Sequence, residues 1–91
     1  MREVKPTSKF KKDIKSIEKR GYNMQLIKDI ILKLAKDESL PSKHRDHAMS
    51  GEWSDHRNCH ITPDWILLYK KEKKELILTL SRTGTHSDLS I

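Results

Sequence analysis

Histidine, arginine and cysteine crowd into one short stretch of the chain, "GEWSDHRNCHITPDW", positions 51 to 65. His44 and His47 precede it and His86 follows near the end of the chain. Three chemistries would gather such groups. The first is metal binding, since zinc takes both imidazole and thiolate. Structural zinc sites repeat Cys or His pairs at short fixed spacings, however, and this chain has one cysteine, Cys59, and no HExxH. The expected metal set is therefore none, and no cofactor is expected. The second is nucleophilic catalysis by Cys59. That residue falls in phase with Ile61 on the presumed core side of a strand, where a thiol behaves as a small hydrophobe.

The third is acid–base work on a phosphodiester. RNA is cut without a metal when a base takes the 2′-hydroxyl proton, an acid protonates the leaving 5′-oxygen, and a cation steadies charge on phosphorus. Histidine suits the first two roles because it titrates near neutrality. Arginine suits the third, as a fixed fork of donors matched to phosphate. Tryptophan can stack on an unpaired base. His47, His60, His86, Asp64, Arg57, Arg82, Trp53 and Trp65 supply every part. Asp64 has three readings: it orients or tunes a histidine, acts as a base, or completes a Pro-Asp turn. Trp65 either stacks on a base or covers the core edge, and Trp53 is read as packing. His44 and His56 fit no role and are placed in solvent.

These residues need a frame. The chain has 91 residues, enough for one domain, 1–91, with a modest core. Only 34% is hydrophobic and 35% is charged, with a net charge of +6. A basic balance favours polyanionic partners, or simple solubility. A lone cysteine suits a reducing compartment, and no apolar run resembles a signal peptide or a membrane span. A cytoplasmic protein with no membrane partner is expected.

Arg2 to Lys5 reads as a short opening strand ended by Pro6. Thr7 or Ser8 then caps a helix whose Phe10, Ile14 and Ile17 share one face. Gly21 closes it. Asn23 caps a second helix with an Ile27, Ile30, Ile31, Leu34 stripe, stopped by Leu40-Pro41. A long connection follows over 41–56. The period then becomes two: Cys59 and Ile61 point one way, and Asn58, His60 and Thr62 the other. Trp65 to Lys70 is β-rich, "KKEKKE" is a hairpin turn, and Leu76 to Ser81 alternates. The predicted fold is α+β, two N-terminal helices on one face of a small antiparallel sheet of three to five strands. The other face is left for solvent or for function.

Three linked motifs, "DHAMSGEW", "RNCHITPDWILLYK" and "SRTGTHSDL", resemble the YafQ-type branch of the RelE/ParE toxin superfamily. The likeness runs from about Asp46 to Leu89. It implies the toxin of a type II toxin–antitoxin system, a metal-independent endoribonuclease that cleaves mRNA in the ribosomal A site by 2′-hydroxyl attack. It implies His47, His60, Asp64 and His86 as catalytic residues, with Arg57, Trp65 and Arg82 at phosphate or base. It also implies a cognate antitoxin of the DinJ/RelB kind with an acidic segment, and operator DNA met only through that complex. Ser90 departs from the family habit of an aromatic residue at that position. Two alternatives stay open: a ParE-like gyrase inhibitor, which has no use for acid–base groups, and a ribosome-independent ribonuclease. A DNA-binding module lacks any helix-turn-helix or ribbon signature.

Overall fold

Pro6 and Thr7 set the start of the first helix. In the computed structural model, which describes residues 1–91, helix α1 spans Ser8–Lys19. Thr7 Oγ1 accepts the Phe10 amide at 3.1 Å, so Thr7 rather than Ser8 is the cap. Phe10 and Ile17 are buried, and Ile14 packs beside them. Gly21 takes φ +83°, a conformation that suits a residue without a side chain, and turns the chain back. Helix α2 spans Met24–Ala35, with Asn23 Oδ1 accepting the Gln25 amide at 3.0 Å. Ile27, Ile30, Leu34 and Ala35 form its buried stripe.

Five strands follow one another in space as β1-β5-β4-β3-β2: β1 (Glu3–Pro6), β2 (His47–Ala48), β3 (Arg57–Thr62), β4 (Trp65–Lys71) and β5 (Ile77–Gly84). Neighbours from β2 to β5 are antiparallel, but β1 lies parallel to β5, with Glu3 opposite Ile77 and Pro6 opposite Leu80. The sheet is thus mixed, where the sequence suggests an antiparallel one. The reason is connectivity. A hairpin forces opposite directions, whereas β1 reaches its partner only after every other strand and both helices, so nothing dictates its sense. A short helix α3 (His86–Leu89) follows β5.

One face of the sheet carries Cys59, Ile61, Trp65, Leu67, Tyr69, Leu78 and Leu80 against the helices, and together these form the core. Cys59 is fully buried and its thiol is pushed up to about 12, chiefly by loss of water, so it is inert packing. Trp65 corrects the expectation of a base-stacking residue. It is 0% exposed, its indole N–H donates to Thr83 Oγ1 at 2.9 Å, and its ring meets Tyr22 edge-on at 5.2 Å. A ring closed off on every side has no face to offer a nucleobase.

The opposite face is not bare. Ile66 and Leu68 alternate with the core residues, yet both are 0% exposed. Their cover comes from the connection before β3. His56 Nε2 lies 2.8 Å from Ser81 Oγ on β5, so its ring crosses β4, while Nδ1 donates to Asp55 at 2.7 Å. Trp53 packs edge-on against His56 at 5.0 Å, the packing role expected of it. His56 is therefore a staple rather than a solvated side chain. His44 is also misplaced by sequence reasoning, because its Nδ1 holds the His60 carbonyl at 2.7 Å. Ser81 is the extra residue of a bulge, since Leu68 faces Arg82 while Tyr69 faces Leu80. The bulge lets Leu80 keep the core side and sends Arg82 to the other.

Candidate active site

Cross-strand register decides which residues meet. Residues directly opposite in a ladder share a face. His47 faces Asn58, Asn58 faces Leu68, and Leu68 faces Arg82. His60 faces Ile66, which faces Gly84. Both rows lie on the side away from the helices, at the end where α3 begins.

His60 is the centre. Its ring lies 5.3 Å from that of His86, edge to face, and 6.5 Å from that of His47. His86 is the first residue of α3. Thr85 caps that helix and Asp88 reciprocates, so the amides of Thr85 and Asp88 are both satisfied. Asp88 also receives Arg20 from the end of α1 at 2.6 Å. His86 Nδ1–H donates to Asp64 Oδ1 at 2.8 Å, and its backbone amide to the same oxygen at 3.4 Å. His47 Nδ1–H donates to the Arg45 carbonyl at 2.6 Å. Each partner is an acceptor only, so each neutral ring carries its proton on Nδ1 and turns Nε2 outward.

Charges at the site follow from this packing. Removal from water holds His60 below the ordinary histidine value, and the charges of His86, Arg45 and His47 push the same way. The hydrogen bonds from His86 hold Asp64 below the usual carboxylate range, so it stays ionised at neutral pH. His60, His86 and Asp64 thus form one coupled group, half-open to solvent, with Asp64 exposed.

The arginines fall differently. Alternation along β3 turns Arg57 toward the side of Cys59, away from His60, and its Nε donates to Asp46 at 3.1 Å. The structure does not bring it to the histidines. Arg82 lies in the Asn58 row, but its guanidinium grips Asp13 twice, at 2.7 and 3.1 Å. Asp13 also accepts the Thr83 amide at 3.1 Å, covering the edge of β5 where β1 has ended. Arg45 is the cation that sequence reasoning missed. It sits next to the Asp46-His47 motif in a left-handed turn, φ +46°, and its charge reaches His60. A turn of this kind has no periodicity to announce it. No three His, Cys, Asp or Glu side chains converge as a metal-holding group.

The whole chain resembles one set of proteins. Residues 2–91 match the model of a family described as the bacterial toxin of a type II toxin–antitoxin system, YafQ. The chain belongs to the YafQ family. It is 36% identical over 89 residues to the mRNA interferase toxin YafQ of Escherichia coli K12, covering 97% of this chain and 95% of that one. Its fold superposes on a metal-bound toxin from Helicobacter pylori with a TM-score of 0.92, at 37% identity over 98% and 99% of the two chains. It also superposes on YafQ in the E. coli DinJ–YafQ complex, with a TM-score of 0.88 at 34% identity over 98% of each chain. YafQ-family membership accounts for a mixed five-stranded sheet carrying three helices, as observed.

Gly84 is the tightest point in the positioning of His86. A Cβ there would lie 2.9 Å from Asp88 Cβ and 3.0 Å from its Oδ2. Gly84→Ala is expected to push α3 outward, break the Thr85–Asp88 cap and misplace His86. A shift of about 1 Å costs an active site about 10²-fold. Cleavage assays beside a thermal melt check this: an active variant would show that α3 tolerates the added methyl.

Proposed function

We propose that this chain is an mRNA interferase that cuts mRNA held in the ribosomal A site. The observation that supports it is the His60–His86–Asp64 group with His47 alongside, two imidazoles 5.3 Å apart on an otherwise packed sheet face. His60, held largely neutral at pH 7, takes the proton of the ribose 2′-hydroxyl. The oxygen attacks the adjacent phosphorus and the P–O5′ bond breaks. His86, entering the reaction as an imidazolium whose Nδ1–H is held by Asp64, gives its Nε2 proton to the departing 5′-oxygen and is left neutral. The products are a 2′,3′-cyclic phosphate and a 5′-hydroxyl. Arg45 and His47 stand where charge develops on the phosphoryl oxygens, with Arg82 on the same face. Trp65 supports the frame and takes no part in binding.

The name of the E. coli relative supports mRNA as substrate, and the DinJ–YafQ complex supports an antitoxin partner for this chain. A net charge of +6 suits both the ribosome and an acidic antitoxin segment. Operator DNA is reached through that complex. No helix of the fold is long and apolar enough to cross a membrane, and a cytoplasmic site of action follows from a ribosomal target. A ParE-like action on gyrase would leave the histidine group without a task.

The deciding experiment is primer extension on a defined mRNA in purified translation, with and without ribosomes. Cuts within codons, seen only with ribosomes, support the reading. Cuts on free RNA replace it with a ribosome-independent ribonuclease. Silence in both directs attention to gyrase.

The H. pylori relative is metal-bound, which makes the metal question testable here. Cleavage is expected to survive a chelator selective for transition metals, one that leaves ribosomal Mg²⁺ in place. Added Cu²⁺ or Zn²⁺ is expected to inhibit, because an imidazole bound to metal accepts no proton. Loss of cleavage on chelation, restored by one metal, would overturn the metal-free route.

A further inference from the structure

Asn58 is 5% exposed, and its side-chain carbonyl oxygen is buried without any hydrogen-bond partner. No other buried side-chain polar atom of the protein is left in that state. Native interiors rarely leave such an acceptor unpaired, and an exception calls for a use. This one lies within the site. Asn58 is directly opposite His47 on β2, and His60 follows two residues later on the same face of β3.

Among the groups around it, the donors are largely taken. His47 gives its Nδ1–H to the Arg45 carbonyl, and Arg82 is held by Asp13. His60 differs. His44 holds its backbone carbonyl, while its ring packs against His86 and makes no hydrogen bond to the protein. A strand places residues i and i+2 about 6–7 Å apart on one face. The two side chains are not hydrogen-bonded as the structure stands, so the contact requires them to turn toward each other.

We infer that Asn58 is a positioning residue for the base: its side-chain carbonyl receives one ring N–H of His60 and so leaves the other nitrogen unprotonated toward the 2′-hydroxyl of the RNA. The inference rests on the reading of His60 as the base. It adds the element that reading lacks, a group that selects the tautomer. The neutral imidazole carries one proton, and without an acceptor the ring divides between two forms, only one of which presents its lone pair to substrate. A neutral amide does this while raising the basicity of His60 far less than a carboxylate at the same place would. The charged and titratable groups facing His60 are His86 and, through it, Asp64 from one side, and Arg45 and His47 from the other.

The test is single-turnover cleavage of ribosome-bound mRNA across a pH series, comparing wild type, Asn58→Leu and Asn58→Asp, with thermal melts of each. Asn58→Leu removes the acceptor and keeps the branched outline with the same number of heavy atoms, in a bulkier side chain. It should melt at or above wild type, since an orphaned acceptor is gone. It should lose about tenfold or more in kcat with little change in KM. Asn58→Asp keeps an acceptor and adds a charge, so it should remain active with the acid limb of its profile moved to higher pH. Asn58→Leu with wild-type kcat overturns the inference. So does an inactive but folded Asn58→Asp, which would mean that the amide N–H is the needed group. Should Asn58→Leu melt well below wild type, the Asn58→Asp profile decides alone, and an unmoved acid limb overturns the inference. A silent wild type removes the underlying reading of His60, whereas an active wild type beside an equally active Asn58→Leu removes this inference only.

Discussion

Replacing His60 with glutamine should leave the protein folded and lower mRNA cleavage by about 10²–10⁴-fold, the usual scale of a general base. The fold is expected to survive because His60 faces away from the core and is half-exposed. The pH dependence carries a sign. His60 is held below its ordinary value of about 6.5. Its neutral form is therefore the favoured one in the fold, and the proposed base stays available below that pH. The acid limb of the wild-type profile should lie under about 6.5. The same shift has a stability counterpart, present in full above the unfolded value and lost as pH falls through it toward the folded one. His86→Gln removes one of the positive neighbours of His60. It should lower the rate and also move the acid limb upward. Growth arrest in cells, scored at equal expression, gives a second check. Full toxicity of both variants would mean that the site lies elsewhere.

Trp65→Ala should have a large effect of another kind, a loss of about 3–5 kcal/mol of stability. Trp65 fills the core between the sheet and Tyr22, and its indole N–H is the donor to Thr83 Oγ1, which in turn donates to the Ile66 carbonyl at 2.7 Å. The truncation leaves a cavity and ends that chain of bonds. In a domain of this size each kcal/mol moves the melting point by about 4–8 °C, so the midpoint should fall by tens of degrees. Trp65→Phe should cost less, since it keeps most of the volume and loses only the polar end. Urea or thermal melts decide between packing and recognition. A Trp65→Ala variant as stable as wild type but unable to cleave would show that the ring meets RNA after all.

Helices announced themselves in the sequence because their signals are local. The spacing of Phe10, Ile14 and Ile17, the caps at Thr7 and Asn23 and the glycine at 21 all act within a turn or two of chain. Strand parity over Cys59 to Thr62 was equally readable. What failed depended on distant partners. The parity of Trp65 relative to Ile61 could not be counted through the Pro63-Asp64 turn, where the ladder shifts register. His56 and His44 find their hydrogen-bond partners 25 and 16 residues away. Asn58 was read on the correct face, but the burial there comes from the segment folded over it. Helix α3 did have a local sign, the Thr85 to Asp88 spacing of a capping box, hidden by its brevity. In the site, the motif histidines lie together, while Arg57, which the resemblance implies at phosphate, lies on the other face of β3 from His60.

The parallel pairing of β1 with β5 gives the protein a timetable. During synthesis the helices and the β2–β4 hairpins are made first, but β1 has no neighbour until the last strand arrives to fill the gap between β1 and β4. The pairing of Glu3 with Ile77 joins almost the two ends of the chain, the kind of long loop closure that comes late in folding. The same closing segment leads directly into His86. A nascent chain stopped anywhere before Ile77 therefore lacks both a finished sheet and the proton donor proposed for the reaction. A protein proposed to act on the translating ribosome is in this way assembled last at the place where it would act, and the ribosome making it is not exposed to a working copy until the chain is nearly complete.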